Sequence, residues 1–421
     1  MVSKVFLLKI KKFINISLVM LSLILIEKAL QASNYKRSYF GSILSGQIAN
    51  YNNESSVSAD FFNYAHSIHP ENKEVYNLSL MSLVISGNIE TAISTVIKYK
   101  KKFGTNADDS IISNFLVFIN EVKNDNFQKA LEHLNNSKSF LITEKMIPIL
   151  QSWLSADLEL ANSYLDEYEY KAQGLALSNI YFHHLALIQY YHNQKELSKS
   201  TFENHLKIFD TEKIRTLYFY SKLFNVNNEK NEYISKFLNE YPNHSFSAYL
   251  KKTNKQALKK IITPKEGISE TLYNLAQTLY SQNMFETSLA LAQNSLYLNP
   301  NNHLVKYLIS LNLNSLNKKE LALNYMKSIP QDSYSNWNAI ISTAELYLDL
   351  EKYNIASEYL LKHKKAYPEK TEILYKLGEL YHVQKKYQDA IEYFSKAISS
   401  LSVVENKHWY LFYSRGMSYE R

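Results

Sequence analysis

Apolar residues recur in the second half of the chain at i, i+3, i+4 and i+7, as at Leu374, Leu377, Gly378 and Tyr381. That spacing lays them along one face of a helix. A break follows at Gln384 to Tyr387, and a second amphipathic run carries Ala390, Phe394 and Ala397. The unit is helix–turn–helix. A shift of 34 residues toward the N-terminus repeats it, turning Ala390 into Ala356, Ala322 and Ser288. Gly378 becomes Ala344, Ser310 and Ala276, and Tyr381 becomes Tyr347, Leu313 and Leu279. Phe394 becomes Leu360, Met326 and Ala292. Four units, starting at Ser269, His303, Trp337 and Thr371, stay in phase with no insertion. The small residue on each helix lets the two approach closely, and the large one fills the gap beside it. One pair cannot bury its apolar face alone, so neighbours stack. The pattern predicts an all-α solenoid.

The chain here resembles the tetratricopeptide repeat family. The resemblance rests on Leu374, Leu377, Gly378, Tyr381, Tyr387, Ala390, Phe394 and Ala397, and on Ala344, Tyr347, Tyr353, Ala356 and Pro368 one unit earlier. It covers 269–421 and implies a right-handed α-solenoid. Trp409 to Arg421, with Tyr413, Arg415-Gly416 and Glu420-Arg421, is similar to exported tetratricopeptide proteins of alphaproteobacteria, as is Glu266 to Leu279. In the family, the concave groove is lined by the second, fifth, ninth and twelfth positions of each first helix. The fifth positions here are Tyr273, Tyr307, Ile341, Tyr375 and Tyr413; the ninth are Gln277, Leu311, Glu345 and Glu379. Tyr280 and His382 stand at the twelfth. The resemblance therefore implies a partner-binding groove containing Tyr273, Tyr280, Tyr307, Leu311, Glu345, Tyr375, Glu379, His382 and Tyr413. Tyrosine offers large, stiff contact area with a polar tip, which suits a peptide or a helix. With 34 tyrosines in the chain, the alternative is that some pack within the superhelix. The groove lacks the Lys and Asn that hold a terminal carboxylate in the chaperone-tail type. The structural positions of the repeat are Ala276, Ser288, Ala322, Ala344, Ala356, Gly378, Ala390, Ala397 and Gly416.

The first half repeats less cleanly. Gly46, Ser58, Phe62, Ala65 and Pro70 fit a unit starting at Tyr39. Leu80, Leu83, Ala92 and Val96 fit one starting at Lys73. Phe118, Phe127, Ala130 and Leu134 fit one starting at Ile111, after a four-residue insertion. Further starts are expected near Ile142, Asn179 and Thr211, although Pro148 then falls inside a first helix. A joint at 251–264 separates degenerate repeats over 33–250 from the regular array over 265–421. About eleven units fit the length. The last begins at Trp409 and ends at Arg421, leaving Phe412, Gly416 and Tyr419 without a partner helix. The expectation is a C-terminally truncated chain; the alternative is that a partner or second copy completes the unit.

Residues 1–32 have the order of a secretory signal peptide. Lys4, Lys9, Lys11 and Lys12 precede the uncharged, mostly apolar stretch Phe13 to Ile26, and Leu30-Gln31-Ala32 offers a small-residue cleavage site. Those 14 residues span roughly 21 Å as a helix, short of a ~30 Å hydrocarbon core. Cleavage after Ala32 is expected; an uncleaved inner-membrane anchor is the alternative. A chain of 421 residues with no cysteine fits a bacterial periplasm better than a eukaryotic secretory route. Most of the net charge of +7 sits in that leader, and the mild remainder argues against nucleic acid as a partner.

Candidate chemistry is sparse. Gly41 to Gln47 has the glycine spacing of a phosphate loop without its Lys and hydroxyl. Adjacent His183 and His184 point to different helix faces, and His192 or the pair His66 and His69 completes no metal site. Ser33/Lys36 and Ser315/Lys318 satisfy S-x-x-K without its companion motifs. Asp166, Glu167 and Glu169, alternating with Tyr168 and Tyr170, form a solvated helix end. No cofactor and no small-molecule substrate are expected. The expected function is a non-catalytic scaffold or adaptor for other envelope proteins. The alternative is a regulatory or spacer arm of an envelope enzyme or assembly factor whose working part lies beyond residue 421. Self-association through Trp409–Arg421 is a third reading.

Overall fold

A computed structural model describes residues 37–421 except 53, 105–109, 137–145, 172–174, 208–212, 225–230, 242–243, 253–261 and 368–369. The expected leader, Pro368 and most of the joint lie outside the described residues, as do the side chains of Glu167 to Tyr170. The described chain is helical, with no strand among the described residues. In the first half α1 (Tyr39–Tyr51) pairs with α2 (Ser55–Ile68), α3 (Lys73–Ile85) with α4 (Ile89–Phe103), and α5 (Ile111–Lys123) with α6 (Phe127–Asn136). Then come α7 (Ile147–Leu154) with α8 (Leu158–Lys171), α9 (Leu175–Tyr191) with α10 (Lys195–Leu206), α11 (Ile214–Leu223) with α12 (Glu232–Glu240), and α13 (Ser245–Lys252). The second half holds α14 (Pro264–Ser281) with α15 (Phe285–Leu298), α16 (His303–Ser315) with α17 (Lys319–Lys327), and α18 (Asn336–Asp349) with α19 (Tyr353–Ala366). It ends with α20 (Thr371–Val383), α21 (Tyr387–Ser399), a short 3-10 turn at Asn406–His408, and α22 (Trp409–Tyr419). This is an α-solenoid of stacked helix pairs.

The turn inside seven of the described pairs carries the repeat. Asn283, Asn317, Glu351 and Lys385, spaced 34 apart, all have φ between 55 and 61°. Asp125 and Asn193 share that left-handed conformation at φ 60 and 63°, and Gly87 at φ 82°. In all seven turns the next residue's N–H donates to a carbonyl five residues back, at 2.7–2.9 Å, as from Lys386 to Tyr381. This bond satisfies a carbonyl that the helix end leaves open and fixes the angle of the second helix. The step from Gly87 to Asp125 is 38, one repeat plus the four-residue insertion. The turn therefore keeps the register where the helices have lost it.

Small positions do what the spacing predicts. A Cβ on Gly378 would come within 2.5 Å of the Phe394 ring, and one on Gly46 within 2.8 Å of the Phe62 ring. Both aromatics lie 16 residues downstream and seal their own hairpin. Ser198, Ser288 and Ser310 each donate to the carbonyl of the facing small residue, Ala186, Ala276 and Ala322, at 2.7 Å. Ala344, Ala356, Ala390 and Ala397 are fully buried. Gly416 differs: nothing lies within 4 Å of the direction its Cβ would take.

Local signals place the helix starts. Ser38, Asn72, Ser110 and Asn231 cap α1, α3, α5 and α12 with side-chain oxygens. The start expected near Ile142 falls at Ile147, which puts Pro148 in the first turn, where its missing N–H costs least. Thr263 and Glu266 form a capping box that encloses Pro264 at the first helical position and sets the start of α14.

The two halves are not separate bodies. Helix α14 packs against α7 and α9, and α15 packs against α3, α4 and α5. The hairpin 264–298 thus fills the surface made by the first helices of the N-terminal pairs. Ser288 to Ser295 are buried without a break, so α15 has no solvent face there. Its only charged residue is Glu286, whereas the exposed second helices α17, α19 and α21 each carry three or more. A helix with so little polar face belongs in an interior.

Candidate partner-binding surface

The first helices α16, α18, α20 and α22 hold the expected groove side by side. Their fifth-position tyrosines reach across to the next first helix. Tyr307 Oη lies 3.4 Å from Ser342 Oγ, and Tyr375 Oη lies 3.5 Å from Ser414 Oγ. The Tyr375 ring also meets Tyr410 edge-on at 4.8 Å. His382 Nδ1 sits 2.8 Å from Ser418 Oγ. Burial raises the phenol pKa values of Tyr307 and Tyr375 above the ordinary range. These side chains tie neighbouring units together while keeping an edge to solvent.

Lys376 supplies the charge of the face. Its ammonium bridges Glu345 at 2.7 Å and Glu379 at 2.8 Å, joining α18 to α20. Burial opposes that charge, but the two carboxylates outweigh it and hold its pKa above the usual value. Glu345 is exposed, Leu311 and Glu379 are half-buried, and Tyr413 is 60% exposed beside Trp409. Tyr280 is half-buried against Phe285.

Tyr273 needs a correction. It is 7% exposed and cannot line an open groove. The face it shares on α14 is covered by the N-terminal half, and the Arg215 guanidinium lies 5.8 Å from its ring. Sequence register could not show that the chain itself fills the surface there.

A buried polar cluster at this seam was missed by sequence reasoning. Arg215 on α11 makes a two-pronged contact with Glu270 on α14, at 2.7 Å and 2.5 Å. Glu270 is 3% exposed. Burial opposes its ionisation, but the charge and hydrogen bonds of Arg215 hold the carboxyl well below the usual range. His183 Nε2 approaches the same carboxylate at 3.5 Å, and its Nδ1 lies 3.1 Å from Thr216 Oγ1. The Trp153 indole donates to His184 Nδ1 at 3.0 Å, and Asn274 meets Nε2 at 3.1 Å. These groups lock the halves together. They join residues 31 to 90 positions apart, so no local spacing marks them.

Two other histidines singled out by the sequence sit away from this cluster. His66 packs against Tyr76 and Tyr99, and His69 pairs with Glu71 at 2.9 Å. Among the described residues no three His, Asp or Glu side chains converge as a metal set. No described helix is long and apolar enough to cross a membrane.

Comparison with known families meets the array at its most regular unit. Residues 371–399, which are α20, α21 and the turn between them, match the family model of the tetratricopeptide repeat. The chain carries a tetratricopeptide repeat. Its seven left-handed turns extend the geometry of that tetratricopeptide repeat through both halves. A search of curated proteins finds no sequence relative. Among solved structures, similar chains occur in the APC/C hetero-tetramer Cut9–Hcn1, at 14% identity over 93% of this chain and 85% of that one, with TM-score 0.34. Yeast Tom70 is 12% identical over 91% and 96%, with TM-score 0.31. The complex of Naa15/Naa10 bound to HypK-THB gives 14% over 91% and 63%, with TM-score 0.34.

Proposed function

We propose that this protein is a non-catalytic scaffold exported to the bacterial envelope, which grips a partner protein along the first-helix face of α18, α20 and α22. The helical-repeat fold itself supports a protein-interaction role. The observation that carries the rest is the division of the array. The first-helix surface of the N-terminal pairs is filled by the hairpin 264–298, while Glu345, Lys376, Glu379, Tyr375 and Tyr413 form a continuous face that solvent reaches. Aromatic edges and paired charges on rigid helices suit an extended or helical segment. The envelope location rests on the lysine-rich start, the apolar stretch Phe13 to Ile26 and the absence of cysteine.

A photo-crosslinking amino acid at Tyr375 or Tyr413 should capture one and the same protein in intact cells. The same group at Leu197, which is exposed on the second helix α10, should capture none. Equal capture at all three, or none, overturns the groove. Protease protection in spheroplasts would overturn the envelope assignment.

A further inference from the structure

Among the contacts that seat the hairpin 264–298 on the N-terminal half is one titratable ring. Helix α14 presses Gly267 onto Trp153, where a Cβ would come within 2.2 Å of the indole. That indole donates its N–H to His184 Nδ1, and the opposite ring nitrogen of His184 faces Asn274 on α14. One imidazole therefore joins α7, α9 and α14.

The indole fixes the protonation state of the ring. Trp Nε1 is a donor and never an acceptor, so Nδ1 must keep its lone pair. A charged imidazolium would set one N–H against another inside a fully buried site. The neighbouring charges do not relieve this. His183 lies beside it on α9, and the nearest carboxylate, Glu270 on α14, is already engaged by Arg215 on α11. Further out, His205 on α10 has Lys213 and His183 for neighbours. From α7 the ring meets the indole. Burial first, and His183 second, keep the His184 pKa well below its ordinary value, while Glu270 opposes them.

We propose that His184 is a proton-operated latch, whose protonation releases the hairpin 264–298 from the N-terminal helices. A ring that takes its proton only after leaving the seam favours the released form as acid is added. With a free imidazole value near 6.5, the released-to-seated ratio rises about 30-fold between pH 7.5 and pH 5. The hairpin 264–298 keeps its own turn at Asn283 and its Ser288–Ala276 bond on release, so its helices are retained.

The absence of cysteine makes the test direct. Asp125 and Lys265 face each other across the seam at 2.9 Å and are replaced together by cysteine for nitroxide labelling. The expected result is a single short distance at pH 7.5 and an added longer population at pH 5, with helicity by circular dichroism unchanged. His184→Gln, whose amide can accept from Trp153 without titrating, should remain short at both pH values. His205→Gln should behave as wild type. An unchanged wild-type distance at pH 5 overturns the latch, as does helicity lost together with separation. A response removed by His205→Gln but kept by His184→Gln would also overturn it.

Discussion

The regular unit α20–α21 and the central hairpin α14–α15 share one register, yet they carry different loads. In α20–α21 the repeat columns Leu377, Gly378, Ala390, Phe394 and Ala397 are buried and many of the remaining positions carry charge, so the unit stacks on its neighbours and shows water an outer face. In α14–α15 the same columns are buried, and so is nearly everything between them. Periodicity reports how two helices pair with each other. What covers the pair's other faces is reported by the composition of the positions between the columns. Glu286 alone on α15, against Asp389, Glu392 and Lys396 on α21, is the difference that separates a keystone from a stacking unit.

The sharpest way to break this contrast is at the seam. Arg215→Ala leaves the Glu270 carboxylate buried without its partner and should cost about 3–5 kcal/mol in urea unfolding. Arg215→Met with Glu270→Leu should recover most of that loss, since a dry apolar pair removes both charges. Lys376→Ala in the stacking unit, whose carboxylate partners reach solvent, should cost about 1 kcal/mol or less.

Acid should lower the overall folding stability as well. Burial lowers the pKa of His184 and brings His205 down to about 3, from an ordinary value near 6.5. In the unfolded chain both take protons first, so stability is complete above pH 6.5 and falls as the pH drops toward the folded values. The loss at pH 5 is about 2 kcal/mol for each ring fully excluded from protonation. Thermal melts of wild type and His205→Phe across pH 7.5 to 5 measure it, and the variant should show the smaller decline.

The repeat column itself gives a pair of opposite sign. Gly378→Ala drives a methyl into the Phe394 ring and should destabilise by about 1–3 kcal/mol. Gly416→Ala meets open space on an exposed helix and should stabilise by up to about 1 kcal/mol. Equal effects would mean that the face of Gly416 is covered in solution. The smallest effect lies in the turns. Glu351 and Lys385 hold left-handed backbone that glycine adopts without penalty. Glycine at either should raise the melting midpoint by an equivalent of about 0.5–1 kcal/mol, while Asn317→Gly should change it less.

Much of this was legible in the residues. The four-unit phase, the small columns and the insertion before Ile111 all correspond to observed hairpins and turns. The groove positions also fall on adjacent first helices, but Tyr307 and Tyr375 spend their hydroxyls on the next unit, and Tyr273 is sealed. A periodic pattern names the face of a side chain and not the distance to the next surface, so shared tyrosines and free ones look alike in sequence. The degenerate half was harder for a similar reason. Its helices are held by partners from 264–298, so its columns need not satisfy the hairpin alone.

The chain's own order of residues determined the helices, their pairing and their turns, because these depend on contacts between residues 4, 12 or 16 apart. Tertiary structure alone decided that the array closes on its own hairpin and that Arg215 meets Glu270 across 55 residues. Those contacts join positions with no fixed spacing. They follow from the accumulated curvature of stacked pairs, which no local pattern records.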